Sequence, residues 1–415
     1  MAIMQASEVL ADYVDMRRNI IIGAIAGAVI LIGAAVYFIF FAGSAGVTVA
    51  PDGGASFPVA GQGAPVGGEQ TSTTTSGAVG TPIAVSARLV KISAGPVVQG
   101  EAVVNKTATA SSSQETVVNF IERQSGNVYA YLVRAGTLTR TSNKTIPGIQ
   151  SASWLPDGSL ALVRYLSGDN SSTVNTYALY ADGTNGFFLS QNLSDIAVSS
   201  TNILALSSGV NGSSASLLRT DGTRSSEVFT TPLSSLRIAF AGKNQYLAFT
   251  KPTSSLHGSA FIVDSAGRFS RIAGPLNGLA AKASLSGKWA LVSYTRNGAM
   301  QMNLVNTTTG ESLQLPVATI ADKCVWTAND SAIYCGIPAD PPQNFNYPDD
   351  WYQGAISFSD RIWKIDVSGR YAQLVLDFSK ETENPLDATA LAIDPLNTAL
   401  VFVNKNDGSL WSYEL

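Results

Sequence analysis

Hydrophobic positions in this chain follow two different rules. From Ile20 to Ala42 they form one unbroken apolar run with no charged residue. As a helix rising 1.5 Å per residue, this run is long enough to cross the roughly 30 Å hydrocarbon core of a bilayer. Beyond residue 85 the apolar residues come in short runs, such as Leu160 to Tyr165, Tyr246 to Thr250, Trp289 to Tyr294 and Leu400 to Val403, bounded by Gly, Asn, Asp, Ser or Pro. Short, nearly continuous apolar runs between turn residues predict strands covered on both faces. Residues 43–82 fit neither rule. They are rich in Gly, Pro, Ser and Thr and carry only Asp52 and Glu69 as charges, so they offer too little apolar surface to offset the entropy of ordering. The expected organisation is a cytoplasmic tail (1–19), a transmembrane helix (20–42), a flexible linker (43–82) and an all-β domain (83–415).

The strands repeat. One register is a tight turn between two apolar strands, with third residues at 158, 201, 243, 287, 330 and 396. A second is a turn holding Gly136, Gly183, Gly222, Gly267, Gly310 or Gly369. Both give a unit of about 43 residues, enlarged only near residue 340. A four-stranded unit of that length is a β-propeller blade. The last unit supplies three strands and stops at Leu415, while an unmatched early strand, Ser86 to Ile92, precedes Val97 to Val104. Completing the last blade with that early strand closes a ring of seven and removes the exposed sheet edges. The inner strands are then expected to begin near 97, 151, 195, 236, 280, 323 and 388.

The repeats resemble the WD40-like propeller repeats of TolB-type periplasmic proteins over roughly residues 86–415, without the Gly-His and Trp-Asp signature of eukaryotic WD40 blades. The stretches Ser142 to Pro147, Lys323-Cys324-Val325-Trp326, Ile333-Tyr334-Cys335, Tyr347 to Gly354 and Phe358 to Asp366 resemble an uncharacterised family of bacterial single-span envelope proteins with a propeller ectodomain. That resemblance implies fold and location and brings no catalytic residues with it.

Charge narrows the function. With 26 Lys+Arg, 30 Asp+Glu and a formal charge of −4, nothing suggests a face built to neutralise nucleic acid. One His and two Cys exclude multi-histidine and multi-cysteine metal centres, so no metal or cofactor is expected. Arg17 and Arg18 precede the apolar run and no basic residue follows it before Arg88, which places the N-terminus in the cytoplasm and the β domain outside the cell membrane. A cleaved signal peptide is the alternative reading of the same run. Gly23 and Gly27 form a GxxxG through which two such helices can pack into a homodimer.

Two features of the enlarged unit bear on chemistry. A hairpin turning at Asn329-Asp330 sets Cys324 opposite Cys335, at a separation a disulfide tolerates. An exported domain favours the bridge over a pair of buried free thiols. Between Pro338 and Trp363 lie Phe345, Tyr347, Trp351, Tyr352 and Phe358 beside Asp340, Asp349, Asp350 and Asp360. Aromatics with carboxylates on a long loop make either a lid packed on neighbouring blades or a binding site, with Tyr347, Asp349, Asp350, Trp351 and Tyr352 as its contacts. The function expected is a membrane-anchored, exported platform that binds a protein or glycan partner. Two alternatives stand beside it: a propeller hydrolase acting on glycans through those Asp residues, and a structural envelope component that oligomerises through its helix. A carboxylate and arginine cluster in the central channel would point to the enzyme, and an apolar rim patch to the platform.

Overall fold

The computed structural model describes residues 80–107 and 114–415. The apolar run 20–42 and its GxxxG lie outside the described residues; among those described, no helix is long and apolar enough to cross a membrane. The described chain forms seven antiparallel sheets, each one blade. Blades 1 to 6 have four strands in chain order, starting from inner strands Ala102–Thr107, Ile149–Trp154, Leu193–Val198, Leu236–Phe240, Ala280–Ala283 and Cys324–Trp326. Blade 7 has five strands, and Ala388–Ile393 is its innermost.

The ring closes as the unmatched strand requires. Leu89–Lys91 pairs antiparallel with Leu410–Glu414 in the register Leu89 to Tyr413, Val90 to Ser412 and Lys91 to Trp411. A further strand not foreseen from the sequence, Ile83–Ala84, folds back onto Leu89–Lys91 and forms the outer edge. The first inner strand also differs from expectation. Val97 and Gln99 make only isolated bridges, and regular pairing starts at Ala102, because Gly100 adopts φ +101° between them. A side chain at Gly100 would strike the Ala152 carbonyl oxygen of the next blade at 2.0 Å, so the close approach of blades 1 and 2 depends on glycine there.

The core is divided among the interfaces between blades. Along one middle strand, Ile203 and Ala205 face blade 2 while Leu204 and Leu206 face blade 4. The same alternation sets Ala161 and Val163 toward blade 1 and Leu160 and Leu162 toward blade 3. That is why the middle strands read as unbroken apolar runs: neither face meets water. Each such Leu contributes roughly 1.5–3 kcal/mol by its burial.

Cys324 and Cys335 are joined in a disulfide, both fully buried, with α-carbons 4.1 Å apart. The hairpin register is the expected one. The separation is shorter than the roughly 5.5 Å of a hydrogen-bonded pair because Thr327 N donates to Ala332 O, which makes 324 and 335 a non-hydrogen-bonded pair three positions on.

Candidate functional site

The connections between second and third strands, and those leading into each next blade, share one face of an antiparallel propeller. The 338–360 insertion is such a connection in blade 6, between Ala332–Pro338 and Asp360–Asp366, and holds one helical turn, Asp349–Tyr352. Its inner side is clamped down. Trp351 and Phe358 lie parallel, ring centres 6.3 Å apart, and the Lys323 ammonium stands 5.0 and 4.8 Å from their centroids. Lys323 is fully buried, 2.7 Å from Asp360 Oδ2, and also pairs with Asp387. Asp387 Oδ2 accepts from Trp351 Nε1 and from the Phe358 amide, both at 2.9 Å. Two carboxylates thus share one ammonium where water cannot reach. Burial pushes the Asp360 carboxyl up to about 6, against the pull of Lys323 and with the charge of Asp387 adding to the rise.

The outer side of the insertion overhangs the channel. A cavity of about 710 Å³ at the mouth is lined by Arg164, Asp195, Arg237, Lys251, Asp349 and Tyr352, together with Ser194, Ser208, Ser234, Ser235 and Gln353. A second cavity of about 540 Å³ shares Arg164, Asp195, Arg237 and Tyr352 with it and descends past Lys282, Asp322, Trp351 and Lys405 between the inner strands. Arg237 is the hub. Its Nη1 lies 2.9 Å from Asp322 Oδ2, which also accepts the Tyr352 hydroxyl at 2.8 Å, and its Nε lies 3.9 Å from Asp195 Oδ2. Burial works against an ionised Asp322, yet Arg237, Tyr352 and Lys282 outweigh it and hold the carboxyl below its usual range. Burial dominates at Asp195 and raises its carboxyl, although Arg237 and the Ile238 amide, 2.9 Å away, favour the charge. The Arg164 guanidinium is lowered by burial, and its Nε is buried with no hydrogen-bond partner. The mouth thus holds Arg164, Arg237 and Lys251 against Asp195 and Asp349 among serine hydroxyls, and the deeper cavity adds Lys282 and Lys405 against Asp322.

Of the five contact residues expected from the sequence, the fold brings Asp349, Trp351 and Tyr352 to the cavities and keeps two inside the lid. Tyr352 is 37% exposed at the mouth, whereas Trp351 is only 3% exposed and serves mainly to seat the lid. Asp349 accepts the Ser254 amide of blade 4. Tyr347 is 3% exposed, its hydroxyl spent on the Pro342 carbonyl, and Asp350 accepts the Asn346 amide of its own turn at 2.7 Å. Asp340 is exposed and lines neither cavity. Asp360 is locked to Lys323. The four carboxylates proposed for a glycan hydrolase are thus dispersed, and only Asp349 lines the mouth. His257 is exposed on the rim. Sequence reasoning missed Arg164, Asp195, Arg237, Lys282 and Asp322. A signal for three of them was present: Asp195 and Arg237 stand six residues before the turn positions 201 and 243, and Lys282 five before 287, so each is a charge on a strand that lines the channel.

These features define a seven-bladed β-propeller with a lidded, polar channel. No protein-family model matches the chain, and no curated protein matches it. Among solved structures it is similar to an oligogalacturonate lyase in complex with manganese and to the oligogalacturonate lyase of Vibrio parahaemolyticus, each at 8% identity, 77% of this chain, 98% of the other and TM-score 0.49. It is similar also to the hydrazine synthase of Kuenenia stuttgartiensis, at 13% identity, 77% of this chain, 96% of the other and TM-score 0.49. These likenesses concern the course of the chain and carry nothing about chemistry.

Proposed function

We propose that this protein is a membrane-anchored, extracytoplasmic propeller that binds an acidic, hydroxyl-rich ligand, a uronic-acid oligosaccharide by class, in the mouth beneath its lid; the carboxylate and arginine cluster of the channel, the mark of the enzyme alternative, makes turnover of that sugar the second reading. The observation that carries the reading is the convergence of Arg164 and Arg237 on one water-accessible mouth. Guanidinium groups recognise carboxylates in forked geometry, hydroxyls and amides such as Ser194, Ser208, Ser234, Ser235 and Gln353 match sugar hydroxyls, and the half-exposed Tyr352 ring offers a stacking face. The combined mouth and channel are large enough for more than one sugar unit. Export is supported by the charge asymmetry around residues 20–42 and by a buried disulfide, which persists in oxidising compartments.

The test is calorimetric titration of the full chain with a glucuronate-containing oligosaccharide and with a neutral oligosaccharide of equal length. Saturable heat for the acidic sugar alone is expected. Equal binding of both, or of neither, overturns the reading.

A further inference from the structure

The positive charges of the deeper cavity are not used alike. Arg237 is paired with Asp322 and Asp195, and the Lys282 ammonium donates to Cys324 O and faces the buried Glu101. Lys405 of blade 7 differs. It lines the same cavity, yet among the described residues its ammonium makes no ion pair and no hydrogen bond. Its neighbour is the Trp351 ring of the lid, whose centroid lies 5.1 Å from Nζ. An indole face holds an ammonium in place without neutralising it.

The carboxylates nearby are committed elsewhere. Asp387, whose charge favours the Lys405 ammonium, is spent on Lys323, on Trp351 Nε1 and on the Phe358 amide. Asp322 holds Arg237 and the Tyr352 hydroxyl, and Asp349 accepts the Ser254 amide. Burial lowers the Lys405 ammonium against the pull of Asp387, and Lys323 adds to the fall. A half-buried charge that the chain leaves unpaired gains most from an anion brought in from outside.

The backbone at Lys405 is shaped around the same opening. The Lys405 amide donates to Asp387 O at 2.8 Å, which extends the pairing of the second strand with the inner strand of blade 7. Along that inner strand the register jumps from Thr389 to Ala392, and Ala390 takes φ +48°, an uncommon conformation for a residue with a side chain. Thr389 and Ala390 line the cavity together with Lys405. A regular blade needs no such bulge, and bulges and left-handed residues gather where a strand re-aims groups at a ligand.

We propose that Lys405 is an inner anion subsite, which takes a second carboxylate of the ligand whose first carboxylate is held by Arg164 and Arg237. The inference rests on the acidic-ligand reading of the mouth and sharpens it: the site selects chains in which acidic sugars recur over chains with a single uronate. One cavity of about 540 Å³ is lined by Arg164, Arg237 and Lys405 together, so one ligand can reach all three.

The test is calorimetric titration of the full chain with two disaccharides of equal length, one of two glucuronates and one of glucuronate linked to glucose. Wild type should bind the di-acid at least about tenfold tighter than the mono-acid. Lys405→Gln should abolish that preference and leave mono-acid affinity within about twofold of wild type, whereas Lys405→Arg, which keeps the charge, should retain the preference. Mono-acid binding with no preference in wild type, or a preference that survives Lys405→Gln, overturns the inner subsite and leaves the acidic mouth standing. Absence of binding by either sugar overturns both readings. If Lys405→Gln lowers the ligand-free melting temperature, Lys405→Met, which keeps an apolar stem over Trp351, takes its place, and the same outcomes decide.

Discussion

Burial of Asp360 beside a second carboxylate, only partly offset by Lys323, sets a pH dependence that belongs to a single residue. Asp360 carries a folded-state value of about 6 against an ordinary 3.8, so between those limits the folded chain holds a proton that the unfolded chain has released. Stability from this group is complete below the unfolded value and is lost as pH rises through the folded one, a change on the order of 3 kcal/mol. The melting temperature should fall between pH 4 and about pH 6.5 by a component that Asp360→Asn removes; a wild-type profile no steeper than the variant's in that window refutes the proton held on Asp360. Trp351 is the neighbouring test. Its ring is buried, stacked on Phe358 and tied to Asp387, so Trp351→Ala should cost about 3–5 kcal/mol in denaturant unfolding, as large core truncations do. A loss under 1 kcal/mol would mean that the lid is held from elsewhere.

Two elements bear loads out of proportion to their size. The Cys324–Cys335 bridge closes a hairpin with a sequence separation of 11, and restricting an unfolded loop of that length is worth roughly 3 kcal/mol. Thiol labelling of the denatured chain should find no free sulfhydryl before reductant is added, and reduction should lower the unfolding midpoint accordingly. The clasp of Leu89–Lys91 on Leu410–Glu414 is the second. Because each blade covers its neighbours, an open ring exposes cluster residues such as Leu410 and Val403 together with Val118 and Phe120 of blade 1. Deleting Trp411 to Leu415 should therefore shift the calorimetric melting of the whole propeller as one transition. Separate melting of a single blade would contradict this. The blades, the clasp and the cysteine register were all legible in the sequence, since turn spacing and alternating burial act locally and repeat. The partition of the lid was not. Trp351 and Tyr352 are adjacent on one helical turn and point about 100° apart, so one seats the lid and the other lines the mouth, and only the tertiary placement of Asp387 and Asp322 decides which is which. The channel set escaped in part for a similar reason: Asp195, Arg237 and Lys282 share a position ahead of the repeated turns, but Arg164 and Asp322 do not, and their meeting with Arg237 is set by the closure of the ring.

At the scale of the whole molecule, the mouth joins residues of blades 2, 3, 4 and 6, so a ligand bound there contacts four sheets at once, across the same gap that the lid of blade 6 already bridges to blade 4. Such a ligand should raise the melting temperature of the entire ring, in proportion to the logarithm of its concentration above the dissociation constant. The informative variant is Arg164→Gln. Arg237→Gln strips Asp322 of its countercharge and disturbs Tyr352, whereas Arg164 holds only the Leu193 carbonyl and keeps its Nε unpartnered. Burial already disfavours the Arg164 charge, so its removal should leave the ligand-free melting temperature unchanged or slightly higher. A charge-assisted contact to the ligand carboxylate is worth about 1.5–3 kcal/mol, so affinity for the acidic oligosaccharide should drop roughly 10- to 150-fold. Wild-type binding should also weaken with added salt, less steeply than for an exposed patch because the mouth is partly enclosed, and the variant should show a shallower salt dependence. Undiminished affinity in Arg164→Gln, with the salt slope of the wild type, would remove the acidic ligand from this mouth.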